Sequence, residues 1–484
     1  MSPVARWRAF ALLAVSYFMT IVDLTIVNVA LPTIGHKLQF SESNLQWVVT
    51  AYGIAFGGFL LLGGRAADLL GRRRVLMIGL GIFTTASLAA ALARTDSFLI
   101  AMRGLQGIGA AIVLPAALSI VMNMFEEGAD RNRALGLWGG IGASGATFGL
   151  ISGGLLTRFA GWEYIFYLNV PIGAAMLILL PRVVPESRLN TSQRRYDPFG
   201  ATTVTGGLLL LVYAISNAPQ VGWGSGRTVA LLAASAALLV AFLVIETRVQ
   251  APLMPLRIFG LKTVSGANAV SFLLGASFFA FIFVGTLYMQ QVLGYSALQT
   301  GVTWLTTSVT SVAFAGLSQA LVTRGSAKLV MAFGMTLIGA GILWATQVPV
   351  HGHYWADLAG PFFITGIGTA FAFIPVSIAA LSGVGERDAG LASGLLNTSQ
   401  QLGGAIGVAI ASTIAASRTT TLLRHADAAP VALTGGFHWA LLALSIIGLS
   451  AVPVTFALVR RRELARAVAA AARVPARLEP ATAK

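Results

Sequence analysis

The sequence predicts an all-α membrane protein that crosses a bilayer fourteen times. Three observations carry this. Of 484 residues, 56% are hydrophobic and only 10% are charged, against about 25% charged in soluble proteins. Mean hydropathy is +0.80. So little charge cannot cover a water-facing surface, and in lipid only helices or closed barrels satisfy the backbone. Second, apolar runs such as 75–93 and 231–245 are unbroken, whereas barrel strands alternate at every second residue. Third, the basic residues fall almost entirely on one side of the spans that these runs define.

Spans are expected at 9–31, 46–63, 75–93, 97–122, 134–157, 164–181, 198–217, 228–245, 266–289, 301–321, 327–347, 358–382, 391–415 and 438–459. The first follows Arg6 and Arg8; its length and its Asp23 mark it as a span and not a cleaved signal. The charged loop 65–74 separates the second from the third. The fourth holds Arg103, and the fifth is glycine-rich after the charged segment 130–133. The sixth contains Pro171 and the seventh is rich in Thr and Gly, so their apolar signals are the weakest. Phenylalanines crowd the ninth (Phe278, Phe279, Phe281, Phe283) and the twelfth (Phe362, Phe363, Phe371, Phe373). The thirteenth follows the charged segment 386–388 with another glycine-rich start and so echoes the fifth.

An even span count puts both termini on one side. That side carries 25 of the 32 Lys and Arg, the other six, and Arg103 lies within a span. By the positive-inside rule both termini are cytoplasmic. The net charge of +15 is thus an orientation signal and not the footprint of a nucleic-acid binder. There is no cysteine, which excludes disulfides and thiolate metal sites. The five histidines supply no metal set.

The echo between the fifth and thirteenth spans divides the chain. Residues 1–190 form one six-helix half, 191–262 an inserted pair with linkers, 263–460 the second half, and 461–484 a basic cytoplasmic tail. Repeated six-helix halves are a transporter architecture. A basic, Ala-rich tail of this kind suits anionic headgroups.

Asp23 is the one acid placed inside a span. At depth a carboxylate costs about 2.5–3.5 kcal/mol even on the lenient insertion scale. Loss of water favours its neutral form, and a nearby cation the ionised form. A group poised between the two can load and release a proton. The competing reading is a buried acid with a purely structural role. Arg103 is the natural partner: Asp23 lies about 12 Å below the outer end of its helix and Arg103 about 9 Å. Gly64, Asp68, Gly71, Arg72 and Arg73 form a candidate gate between the second and third spans, where Asp68 can face a helix N-terminus. Gly145, Gly149 and Gly153, four apart, form with Gly154 a face for close helix packing. Asn28, Tyr52, Gln106, Gln290 and Asn397 are candidates to line a substrate path. No phosphate-binding G-x-x-x-x-G-K-[ST] string occurs. One acid and one arginine are too few for an intramembrane enzyme.

Several strings occur in a telling order: IVDLTIVNVALP (21–32), GRAADLLGRRR (64–74), LIAMRGLQGIGAA (99–111), the glycine run over 145–154, and AGLASGLLNTSQQLGGAIGVA (389–409). Together they resemble the major facilitator superfamily, most closely its drug:proton antiporters with fourteen spanning helices, the EmrB/QacA type. The resemblance implies the major facilitator fold, Asp23 as proton carrier and Arg103 as the fourth-helix arginine. It also implies a functional monomer in a bacterial cell membrane. The expected activity is export of hydrophobic drugs, or of one antibiotic made by the host, driven by the proton gradient without a cofactor. A symporter or exporter of one metabolite is the alternative. Leu69 departs from the family's basic residue, Leu150 from its proline and Glu163 from its arginine. The second half lacks an intramembrane acid, so monovalent cationic or neutral substrates are favoured over divalent ones.

Overall fold

In a computed structural model the described residues are 2–40, 42–45, 47–125, 129–187, 197–249, 252, 254, 256–324, 326–380, 382, 384, 389–425 and 428–460. Among them are fourteen long helices and no strand. These are α1 Pro3–Lys37, α2 Trp47–Leu70, α3 Arg72–Ala91, α4 Asp96–Met124, α5 Ala129–Phe159, α6 Tyr164–Val183 and α7 Pro198–Val221. There follow α8 Gly226–Arg248, α9 Lys262–Val292, α10 Ala297–Arg324, α11 Ala327–Gln347, α12 Tyr354–Ala380, α13 Ala389–Arg424 and α14 Ala429–Leu458.

Eleven are long and apolar enough to cross a bilayer. The apolar stretches of α2 and α7 are shorter, Trp47–Leu60 and Phe199–Ile215, and glycines dilute the hydropathy of α5. All fourteen expected spans thus have a helix. Several helices run past the expected span ends: α1 by six residues at each end, α2 by seven past 63, α5 by five before 134, and most of all α13, nine past 415, and α14, nine before 438. The hydroxyls of Thr420 and Thr421 bond back to the carbonyls of Ala416 and Ser417, so this polar turn stays helical. Pro430 opens the first turn of α14, where its missing N–H costs nothing. The predicted basic tail, 461–484, lies outside the described residues.

The packing repeats with an offset of eight helices. The pairs α1–α5, α2–α4, α3–α4, α1–α6 and α3–α6 recur as α9–α13, α10–α12, α11–α12, α9–α14 and α11–α14. The two halves meet along two seams that obey the same offset, α2–α13 and α10–α5. The pair α7–α8 stands outside this scheme, with α7 packed on both α2 and α13. The fold is therefore two six-helix halves with two inserted helices.

Call the end carrying both termini the basic end and the opposite one the far end. At the far end one apolar core runs through both halves, joining Ile26, Ala30 and Ile34 of α1 to Phe281, Trp304 and Met335. Toward the basic end the first half keeps its own separate core around Leu13, Leu76 and Val113. Direct contacts across the far end agree. Gln290 donates to the Val29 carbonyl at 3.1 Å. A Cβ on Gly301 would lie 2.5 Å from the Leu150 carbonyl oxygen, and one on Gly154 would lie 2.8 Å from Leu298 Cα. The halves are closed on each other at the far end.

At the basic end the chain turns from α2 into α3 at Gly71, whose φ of 110° suits a residue without Cβ. The freed N-terminus of α3 is capped from a distance. The Glu186 carboxylate accepts the backbone N–H groups of Arg73 and Arg74 at 3.1 and 3.0 Å. Arg73 in turn donates to the carbonyls of Pro181 and Val184 and lies 3.8 Å from Glu186. A carboxylate at a helix N-terminus satisfies orphan donors and meets the helix dipole. Glu186→Ala is expected to cost about 1–2 kcal/mol, read as faster amide exchange over 73–76 in nanodiscs. Unchanged exchange there would show that the cap contributes nothing.

A buried ion pair in the first half

Asp23 on α1 and Arg103 on α4 are both fully buried. They meet at 2.6 Å between Arg103 Nη1 and Asp23 Oδ2. The depth argument from sequence therefore places them correctly. The rest of the cluster comes from α4 itself and from three more helices. From α4, one turn on, the Gln106 amide donates to Asp23 Oδ1 at 2.7 Å. From α6 the Asn169 amide donates to the same oxygen at 2.7 Å. Both amides also donate to Ser87 Oγ on α3, each at 3.0 Å. Ser87 passes its own proton to the Phe166 carbonyl at 3.0 Å. Arg103 donates further to Gln106 Oε1 at 2.8 Å and to the Val48 carbonyl of α2 at 3.0 Å. Its guanidinium lies 4.3 Å from the Tyr52 ring centre.

The set closes on itself. Asp23 Oδ1 accepts two amide protons and Oδ2 the guanidinium; Ser87 accepts two protons and gives one. A buried charge is tolerable when paired and fully hydrogen-bonded, and these donors suit a carboxylate. The cluster ties α1, α2, α3, α4 and α6 together at one depth, inside the first half and away from either seam.

The second half has no charge at the matching place. Gly107 packs against the Tyr52 carbonyl, and Gly366 packs 2.6 Å from the Thr307 carbonyl oxygen when a Cβ is placed on it. Four residues before these glycines stand Arg103 and Phe362. Phe362 stacks on Trp304 at 4.4 Å and meets Phe281 edge-on at 5.5 Å. The Trp304 indole donates to Thr286 Oγ1 at 3.1 Å. One half thus carries a buried ionic cluster and the other a buried aromatic block.

The glycine face meets a specific partner. Gly145, Gly149 and Gly153 lie against α1: a Cβ on Gly149 would stand 2.8 Å from the Val22 carbonyl oxygen, and one on Gly153 would stand 2.6 Å from that of Ile26. Gly154 points instead at α10. The helix bearing Asp23 is therefore packed directly on α5. In the gate segment, a Cβ on Gly64 would lie 3.5 Å from Pro115, Gly71 makes the turn and Arg72 is buried. Asp68 lies in the last turn of α2; its side chain lies outside the described set.

The substrate-lining candidates scatter. Tyr52 and Gln106 are 1% and 0% exposed and stand in the ion-pair cluster. The amide of Asn28 donates to the Leu24 and Thr25 carbonyls of its own helix. Gln290 bridges the halves at the far end, and Asn397 lies partly buried on α13. Sequence reasoning missed Ser87 and Asn169. The signal for Asn169 was present, an amide side chain two residues before Pro171 in an apolar span.

Comparison with known proteins agrees with this architecture. The profile of the Major Facilitator Superfamily matches residues 13–408. The cephamycin export protein CmcT of Amycolatopsis lactamdurans is 38% identical over 85% of each chain. The puromycin resistance protein pur8 of Streptomyces alboniger is 34% identical over 89% of this chain and 86% of its own. Among solved structures, an auto-inhibited POT family peptide transporter superposes with a TM-score of 0.68 over 94% of this chain and 97% of its own. Its 16% identity speaks for the fold alone. By profile, relatives and fold, the chain belongs to the Major Facilitator Superfamily of membrane transporters.

Proposed function

We propose that this protein exports hydrophobic small molecules, antibiotics or other drugs, and that the proton gradient drives the export through Asp23. The observation that carries the reading is the ion pair of Asp23 and Arg103, sealed inside one half of a two-half transporter. Intramembrane acids are costly and commonly serve proton relays. The names of the relatives, cephamycin export and puromycin resistance, support export of antibiotic-like cargo. With 25 of 32 basic residues at one end, that end is cytoplasmic in a bacterial cell membrane. Residues 1–190 and 263–460 then act as the two rocking halves, flanked by the insert 191–262. Substrate enters from the cytoplasmic side while Asp23 is ionised and paired. The halves rock to open the far end, a proton reaches Asp23, substrate leaves, and the protonated carrier returns. No cofactor takes part, and one copy suffices. Neutral or monovalent cationic substrates fit a chain in which Asp23, the acid deep in the first span, is already paired.

A drug-susceptibility panel in an efflux-deficient host tests this. Wild-type protein is expected to raise the tolerated concentration of at least one compound, and Asp23→Asn, at equal membrane abundance, to return it to the host level. Equal protection by the two would remove Asp23 as the proton carrier.

A further inference from the structure

The reading of Asp23 as proton carrier leaves open what the surrounding hydrogen bonds do when the proton arrives. Three donors point at the carboxylate: Arg103 at Oδ2, Gln106 and Asn169 at Oδ1. A neutral acid must donate its own proton, and none of these three groups, as oriented, can accept it. One of them has to change.

The three differ in freedom. Arg103 has no acceptor atom at all. Gln106 is held in its orientation, because its carbonyl accepts from Arg103 at 2.8 Å while its nitrogen serves Asp23 and Ser87. Turning it over would point two donors at each other. Asn169 has no such lock. Its nitrogen serves Asp23 and Ser87, and its carbonyl has no hydrogen-bond partner among the described residues. It stands in α6, just after the short segment Tyr164–Tyr167 and two residues before Pro171.

We propose that Asn169 is the switching amide of the proton site: it donates to ionised Asp23 and turns over to accept the proton of the neutral acid. The step breaks no covalent bond. A proton joins a carboxylate oxygen of Asp23, the two Asn169 N–H contacts are given up, and O–H to Oδ1 of Asn169 replaces them. The Ser87 hydroxyl, released from one donor, keeps its bond to Phe166. The charged and titratable groups facing Asp23 are Arg103 from α4 and, behind it, Tyr52 from α2. From α3 and α6 come Ser87 and Asn169. Asn169 is a positioning residue here, acting through Asp23 and touching no substrate.

The inference rests on the proton-carrier reading, and two measurements separate their failures. The first uses purified wild-type protein in nanodiscs with isotope-labelled asparagine. Infrared difference spectra between high and low pH are expected to show a carboxylic-acid band, absent in Asp23→Asn, together with a shifted asparagine amide band, absent in Asn169→Leu. The acid band without any Asn169-dependent amide change would overturn the switch and leave the proton carrier standing. Absence of the acid band would remove the carrier itself. The second measurement is the pH profile of export. A switching amide serves both forms of Asp23, so its loss in Asn169→Leu is expected to keep the midpoint within about half a unit of the wild type, whereas loss of a fixed donor would move it about one unit upward. A midpoint moved a full unit upward in Asn169→Leu would equally overturn the switch.

Discussion

Replacing Arg103 by leucine is expected to destabilise the protein by about 3–5 kcal/mol, the usual cost of leaving one partner of a buried pair alone. The guanidinium meets Asp23, Gln106 and the Val48 carbonyl at once, so its loss strands an acid and two polar groups inside the first half. The double variant Asp23→Asn with Arg103→Leu removes the stranded charge and is expected to recover most of that loss. Thermal unfolding of all four species in one detergent closes the cycle. If the losses of the two single variants simply add in the double variant, the pair carries no coupling energy, and the cluster is a set of independent hydrogen bonds. Neither variant is expected to export, so stability and function part company in the double variant.

The second large effect is conformational. At the far end α5 and α10 touch backbone to backbone, through Gly154 on one side and Gly301 on the other. A leucine at 301 must displace the Leu150 carbonyl. Overpacking of this kind costs about 1–3 kcal/mol, which shifts a two-state equilibrium by roughly five- to hundredfold. The strain exists only while the far end is closed, so Gly301→Leu is expected to populate the far-end-open form. The chain has no cysteine, so label pairs can be introduced without prior mutation. Labels at the exposed Phe159 and Trp355 would report a longer distance in Gly301→Leu than in the parent. An unchanged distance distribution would mean that this contact does not hold the far end shut.

Much of this was legible in the sequence, for identifiable reasons. Span number follows from hydropathy and charge, since neither depends on tertiary contacts. The Asp23–Arg103 pairing follows from counting helical rise on two spans. The bonds of Gln106 to Asp23 and Arg103 were not legible, because helix position alone cannot choose between a substrate path and a neighbouring charge three residues away on the same face. Ser87 was invisible: serines in membrane helices commonly bond back to their own turn, as Ser16 and Ser277 do here. Glu186 as the cap of α3 lies more than a hundred residues from the N–H groups it accepts, and no local pattern encodes that. The aromatic block of Phe281, Trp304 and Phe362 needed the superposition of one half on the other. Composition showed only that phenylalanines were abundant.

The placement of α7 has a consequence for how cargo meets the protein from the side. Two seams join the halves, and α7 lies along one of them, bonded to α2 through Thr205 and the Gly58 carbonyl and packed with Ile54 and Ala405. Its partner α8 turns most of its surface outward. A fold that is nearly two-fold in its helices is thus one-sided toward the lipid. Among the described residues the α2–α13 seam is covered by α7, and the α5–α10 seam has no such covering helix. The two seams therefore present different surfaces to a molecule dissolved in the leaflet, and the uncovered one is edged by α5, the glycine helix on which the Asp23-bearing helix packs.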